Sequence, residues 1–297
     1  MAEKMSAKAS PAIILFGEYF NEVGGPIVAF PASEYVEAKV EKKKELEDVE
    51  IDNQITKEKY KKSEGKDKLE SKIIDEIFAL ELDVPKKGYK LVISGNVTIK
   101  TPGYQSALCV AVAKAVNQLS ITDWKADNAF NAAMKASKFF ADEEKVHLAT
   151  AAYESFVQID DSKDPKPRPF HPGKALFFVL ANTEKLVDKH VSPESLKNWV
   201  SDVKKIVTKS KNEMKYAGVV ELGKLMNQNH TLLAENKLAN KDTDQIIKIS
   251  NYEGALGAKI TGYEGKVLIL CEGDKQQDKV LASLQGKGFG AVKIKAN

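Results

Sequence analysis

Pro11-Ala12-Ile13-Ile14-Leu15-Phe16-Gly17-Glu18-Tyr19 and, far downstream, Gly254-Ala255-Leu256-Gly257-Ala258-Lys259-Ile260-Thr261-Gly262 are the stretches on which the fold of this 297-residue chain turns. Residues 12–16 are an uninterrupted apolar run closed by Gly17, the pattern of a buried strand. Gly24-Gly25-Pro26 and Ser33-Glu34-Tyr35 follow it. Residues 26–30 and 35–40 read as two more strands, the second alternating Val36, Ala38 and Val40.

Beyond these strands, residues 41–72 are a dense mixture of Lys, Glu and Asp. They predict a solvated excursion, part loop and part exposed helix, with a docking surface for a partner as the alternative. Ile73, Ile74, Ile77, Phe78 and Leu80 recur at helical spacing. Residues 89–100 alternate as a strand or hairpin, and helices are expected over 106–119, 123–140 and 143–157. Pro165, Pro167, Pro169 and Pro172 mark 160–172 as a connection, since proline lacks the N–H and blocks helix. Domains are therefore expected over 1–163 and 173–297. In the second, 175–180 reads as a buried strand and 193–211 and 216–235 as helices, before a strand–helix–strand ending over 267–294.

The charge balance, 45 basic against 42 acidic residues for a net +3, argues against a nucleic-acid partner, which calls for a basic stripe. No apolar run reaches the ~18 residues of a membrane span. Met1 to Ser10 carry no apolar signal segment. Cys109 and Cys271 lie in apolar runs, as buried free thiols in a reducing, cytoplasmic setting would. His147, His171, His190 and His230 have no Cys, Asp or Glu at metal-ligand spacing, so no metal site is expected.

Four blocks carry a family resemblance in order along the chain. They are the Pro11–Tyr19 strand, Gly25-Pro26-Ile27-Val28-Ala29 with Ser33-Glu34-Tyr35, Gly223-Lys224-Leu225-Met226-Asn227-Gln228-Asn229-His230, and the Gly254–Gly262 turn. Together they resemble the GHMP kinase superfamily, and within it the mevalonate kinases. The resemblance implies an α+β, two-domain GHMP kinase fold. Its N-terminal α/β domain would be like the second domain of ribosomal protein S5, and its C-terminal domain a ferredoxin-like α+β sandwich.

The resemblance also implies a site, and this chain departs from it at the working positions. The family's first-strand lysine has no counterpart: alanine and Ile13 fill the candidate places. The family's serine-rich phosphate loop is replaced by Thr101-Pro102-Gly103-Tyr104-Gln105-Ser106. Pro102 cannot donate to a phosphate, Tyr104 brings a large ring, and Ser106 remains able to cap the helix. Aligning Ala152-Tyr153 with the family's turn puts His147 in the place of the aspartate, with Asp160 or Asp161 as the alternative. After Gly262 the glycine-rich second loop reads Tyr263-Glu264-Gly265, and a carboxylate there repels polyphosphate. Glu18, Tyr19, Ser33, Glu34 and Thr261 would line the inherited substrate side.

From these departures the sequence predicts no catalytic residues and no cofactor. The expected function is an inactive homologue acting as a structural or interaction component of a cytosolic or cytoskeletal assembly, with other proteins as partners. The alternative is an atypical ATP- and Mg²⁺-dependent GHMP kinase with a mevalonate-like substrate, or a metabolite sensor.

Overall fold

The structure is a computed structural model that describes residues 4–80, 83–120, 125–139, 145–160, 165–183, 193–262 and 265–297. The chain begins with strands β1 (Lys4–Ala9), β2 (Ala12–Phe16), β3 (Ile27–Pro31) and β4 (Val36–Lys42). Strands β5 (Val49–Asn53) and β6 (Glu58–Lys61), helix α1 (Leu69–Ala79) and strand β7 (Tyr89–Gly95) come next. Helices α2 (Tyr104–Asn117), α3 (Ala126–Ala136) and α4 (Lys145–Tyr153) precede strands β8 (Phe156–Ile159), β9 (Arg168–Phe170) and β10 (Leu176–Ala181). The rest comprises α5 (Pro193–Lys197), α6 (Val200–Lys215), α7 (Val219–Glu235), α8 (Lys241–Tyr252), β11 (Gly257–Thr261), β12 (Lys266–Cys271), α9 (Asp274–Gly286) and β13 (Ala291–Ala296). These elements form two compact units, one of Met1–Ala12 with Pro31–Glu154 and one of Ile13–Phe30 with Ser155–Asn297.

The first unit is a five-stranded sheet ordered β1-β4-β7-β5-β6. All neighbours are antiparallel except β5 and β7. Alternation decides which face is covered: Val36, Ala38 and Val40 of β4, Leu91 and Ile93 of β7, and Val49 and Ile51 of β5 are buried. Between them Glu50 and Asp52 point the other way and pair with Lys90. Helix α2 packs on β1 and β4 and is itself surrounded by α1, α3 and α4. That central place explains its near-continuous burial from Ala107 to Val116, broken only at Lys114.

The charged segment 41–72 differs from expectation. Its middle forms β5 and β6, because Val49, Ile51 and Asn53 recur with period two and enter the core despite the intervening charges. Buried Asn53 donates to Glu70 at 2.5 Å, and the Tyr60 hydroxyl donates to the other Glu70 oxygen at 2.9 Å, tying this hairpin to α1. Strand β1 was also not foreseen.

The second unit holds two antiparallel sheets, ordered β2-β3-β8-β9 and β11-β12-β10-β13. Phe30 stacks between Phe156 and Phe178 with ring centroids 5.1 Å apart on each side. On the second sheet Val179, Ala258, Val267, Ile269 and Cys271 pack with Ile246 of α8 and Val280 and Leu284 of α9. Part of the expected proline-rich connection is β9, where Phe170 pairs with Phe156 and Pro169 is tolerated because β9 is an edge strand. Among the described residues, no helix is long and apolar enough to cross a membrane.

Candidate functional site

Helix α2 begins at Gly103, whose φ of +74° is left-handed and which caps the helix with no side chain. Thr101 O accepts the Tyr104 N–H at 3.0 Å and Gly103 O accepts that of Ala107 at 2.9 Å. The Tyr104 ring is buried in the first unit, and burial pushes its hydroxyl up, an effect that the Asn53 side chain opposes. No acidic side chain stands in the first turn of α2. The helix therefore presents the positive end of its dipole without a built-in counter-charge.

His147 of α4 closes on this helix start. A Cβ added to Gly103 would lie 2.5 Å from His147 Nδ1, so only glycine admits the ring. His147 is 6% exposed, and Nδ1 has no hydrogen-bond partner among the described residues. Burial lowers its pKa to about 4, so the imidazole is neutral at pH 7. His147, expected from the sequence at the place of an aspartate, thus lies against the start of α2.

In the second unit Gly17 ends β2 at φ +90°, and a Cβ there would overlap the Pro26 carbonyl. The turn places Glu18 in the interior, where it pairs with Lys259 of β11, both side chains fully buried. Burial pushes the Glu18 carboxyl up against the attraction of Lys259, and burial likewise lowers Lys259. Thr261 donates to Ile14 O at 2.6 Å and Tyr19 to Gly262 O at 3.4 Å, so β11 is fastened to the β2 turn. Close beside them Gly223 of α7 lies against Leu256 and Gly257, with no room for a side chain on either glycine.

Other expected site residues separate. Ile13 is buried in β2 and offers no donor. Ser33 and Glu34 belong to the first unit and hydrogen-bond each other at 3.4 Å. Gly262 and Gly265 have φ of +63° and +71°, while Tyr263 and Glu264 lie outside the described residues.

Sequence reasoning missed the Lys259–Glu18 pair, although a lysine within Ala258-Lys259-Ile260 is a charge inside an apolar strand and signals a buried partner. It also missed Asn229 of α7, fully buried with both side-chain polar atoms unpartnered among the described residues. Near it in sequence, His230 is lowered to about 4 by burial, with Lys259 adding and Asp244 opposing.

Comparison with known proteins places this geometry. No protein-family model matches the chain. It is 25% identical to a mevalonate kinase of Methanocaldococcus jannaschii over 207 residues, 65% of this chain and 65% of that protein. The matched segment thus spans less than two thirds of that relative.

Its fold superposes on the Methanococcus jannaschii mevalonate kinase with a TM-score of 0.81 at 19% identity, covering 99% of this chain and 98% of the other. The L. major mevalonate kinase solved with R-mevalonate gives a TM-score of 0.79 at 20% identity, covering 99% and 98%. The Streptococcus pneumoniae phosphomevalonate kinase solved with phosphomevalonate and AMPPNP gives 0.79 at 14% identity, covering 98% and 100%.

These findings correct the expectation of an inactive structural protein without a cofactor: the proteins that it resembles are kinases, and one was solved with a nucleotide analogue. Counting side chains passed over the backbone start of α2, which has a glycine N-cap and no acidic residue in its first turn. The chain has the two-domain α+β fold of the GHMP kinase superfamily, and the mevalonate kinases are the relatives that it resembles.

Proposed function

We propose that this chain is an atypical ATP-dependent small-molecule kinase of the GHMP type, acting on a mevalonate-like alcohol. The observation that carries the reading is the start of α2, with a glycine at its N-cap, free of acidic residues in its first turn, and bordered by a neutral buried imidazole. Backbone at Gly103, Gln105 and Ser106 would receive the nucleotide's phosphates, as helix starts do.

Among the described residues, no three His, Cys, Asp or Glu side chains are grouped to hold a metal. Mg²⁺ would arrive with the phosphates, keeping several of its waters and offsetting their charge. In the reaction the alcohol oxygen bonds to the γ-phosphorus, the bond from that phosphorus to the β–γ bridging oxygen breaks, and ADP leaves. The hydroxyl proton passes to water. A loose transition state asks little of a general base and much of positioning and charge, so this reading does not depend on an aspartate at the place of His147. Glu18, Tyr19 and Thr261 would fix the β2 turn of the second unit, since all three are buried and bonded.

This reading requires no protein partner, and it suits the cytoplasm, where ATP is abundant and buried free thiols such as Cys109 and Cys271 persist. The test is ADP release from MgATP, measured by a coupled assay with and without mevalonate. Mevalonate-dependent ADP formation is expected; no ADP above the enzyme-free rate with mevalonate or related alcohols overturns the reading.

A further inference from the structure

We propose that His147 is a proton-linked phosphate ligand: a polyphosphate docking at the start of α2 draws a proton onto the imidazole, and the resulting imidazolium hydrogen-bonds the phosphate. The inference rests on the kinase reading above and adds to it a residue and a pH dependence. Two observations meet at this place. One is the start of a 14-residue helix with a glycine cap and no acidic residue in its first turn. The other is an imidazole nitrogen, buried and unpartnered among the described residues, that lies against that glycine. A buried polar atom without a partner is costly, and a structure that keeps one commonly has a ligand for it.

The neighbouring titratable groups leave His147 free to respond. Helix α4 packs against α2 and α3. On α2, Lys114 is paired with Glu154, and Tyr104 and Cys109 are buried. On α3, Asp127 accepts the Tyr153 hydroxyl, and Lys135 stands in its last turn. On α4 itself, Lys145 donates to Ser137 at 3.4 Å. None of these charges contributes to the lowering of His147, which comes from burial alone.

The sign of the linkage follows. Without ligand the imidazole is neutral above about pH 4. An anion at hydrogen-bond distance favours the cation and raises that value. Between the free and bound values the complex holds more protons than its components, so nucleotide binding tightens as pH falls. The imidazolium would also supply a positive charge near the phosphates in a chain that lacks the family's first-strand lysine.

The experiment is calorimetric titration of MgATP into the full chain between about pH 6 and 8, in buffers of different ionisation enthalpy, for wild type, His147→Gln and His147→Asn. Wild type should take up close to one proton more than either variant. Its affinity should rise by up to about tenfold per pH unit more steeply on acidification than theirs. Ring ¹⁵N resonances of His147 in the wild-type protein, recorded with and without saturating MgATP, give the same answer should the variants fail to fold: a change from neutral to cationic shifts is expected. If MgATP binds while proton uptake, pH slope and ring resonances show no contribution from His147, this inference falls and the kinase reading stands. If MgATP does not bind, both fall.

Discussion

Among the described residues Lys259 is the charge set against buried Glu18, and replacing it with methionine has a consequence of definite sign. Both side chains are fully enclosed. Burial already raises the Glu18 carboxyl while Lys259 is present, so without the ammonium it rises further and holds its proton to higher pH. The unfolded chain ionises that carboxyl at its ordinary value of 4.5. Above that pH the folded variant holds a proton that the unfolded chain has lost, so stability falls as pH rises through the window from 4.5 up to the new folded value.

Each pH unit in that window is worth about 1.4 kcal/mol. Removing one partner of a buried pair costs roughly 3–5 kcal/mol. Methionine spares the cost of burying an ammonium, which reduces the net loss without changing the slope. Urea unfolding followed by circular dichroism between about pH 5 and 8 measures it. Lys259→Met should lose stability relative to wild type at up to about 1.4 kcal/mol per pH unit, and the added change Glu18→Gln should flatten that slope. A slope for Lys259→Met no steeper than for the double variant would refute the reasoning.

Three further outcomes follow from the packing. Gly223→Ala or Gly257→Ala should each cost about 3 kcal/mol in unfolding free energy, and the pair should be non-additive, because a Cβ on Gly223 would meet the Leu256 carbonyl and one on Gly257 the Gly223 backbone where α7 meets β11. Asn240 accepts the Asp242 and Thr243 backbone N–H groups at 3.0 and 2.9 Å, so Asn240→Ala should cost about 1 kcal/mol by chemical denaturation. Cys109 and Cys271 are buried, with burial raising Cys271 to about 12; a thiol reagent should leave both untouched in the folded protein at pH 8 and modify both in denaturant.

Much of the fold was legible because it rests on local apolar pattern. The β2 run, the helical stripe of α2 and the β12–α9–β13 ending all follow from residues within a few positions of one another. Strand β5 was obscured because its period-two signal, Val49, Ile51 and Asn53, is diluted by Glu and Asp on the outward face. Helix α8 was passed over although Ile246, Ile247 and Ile249 mark an apolar side.

The site was less legible for a different reason. Glu18 and Lys259 are 241 residues apart, and no local pattern links them. His147 was placed by alignment, but its approach to Gly103 is a fact of packing between α4 and α2. The wrong expectation of an inactive scaffold came from counting missing side chains. Phosphate binding at a helix start depends on backbone amides, which the residue names do not record.

The measurement that tests the central claim most directly is ³¹P NMR of the protein with ATP, Mg²⁺ and mevalonate. The account predicts a new phosphomonoester resonance that grows in step with ADP and is absent when mevalonate or protein is omitted. Unchanged ATP, or ADP with inorganic phosphate and no phosphorylated alcohol, would contradict it.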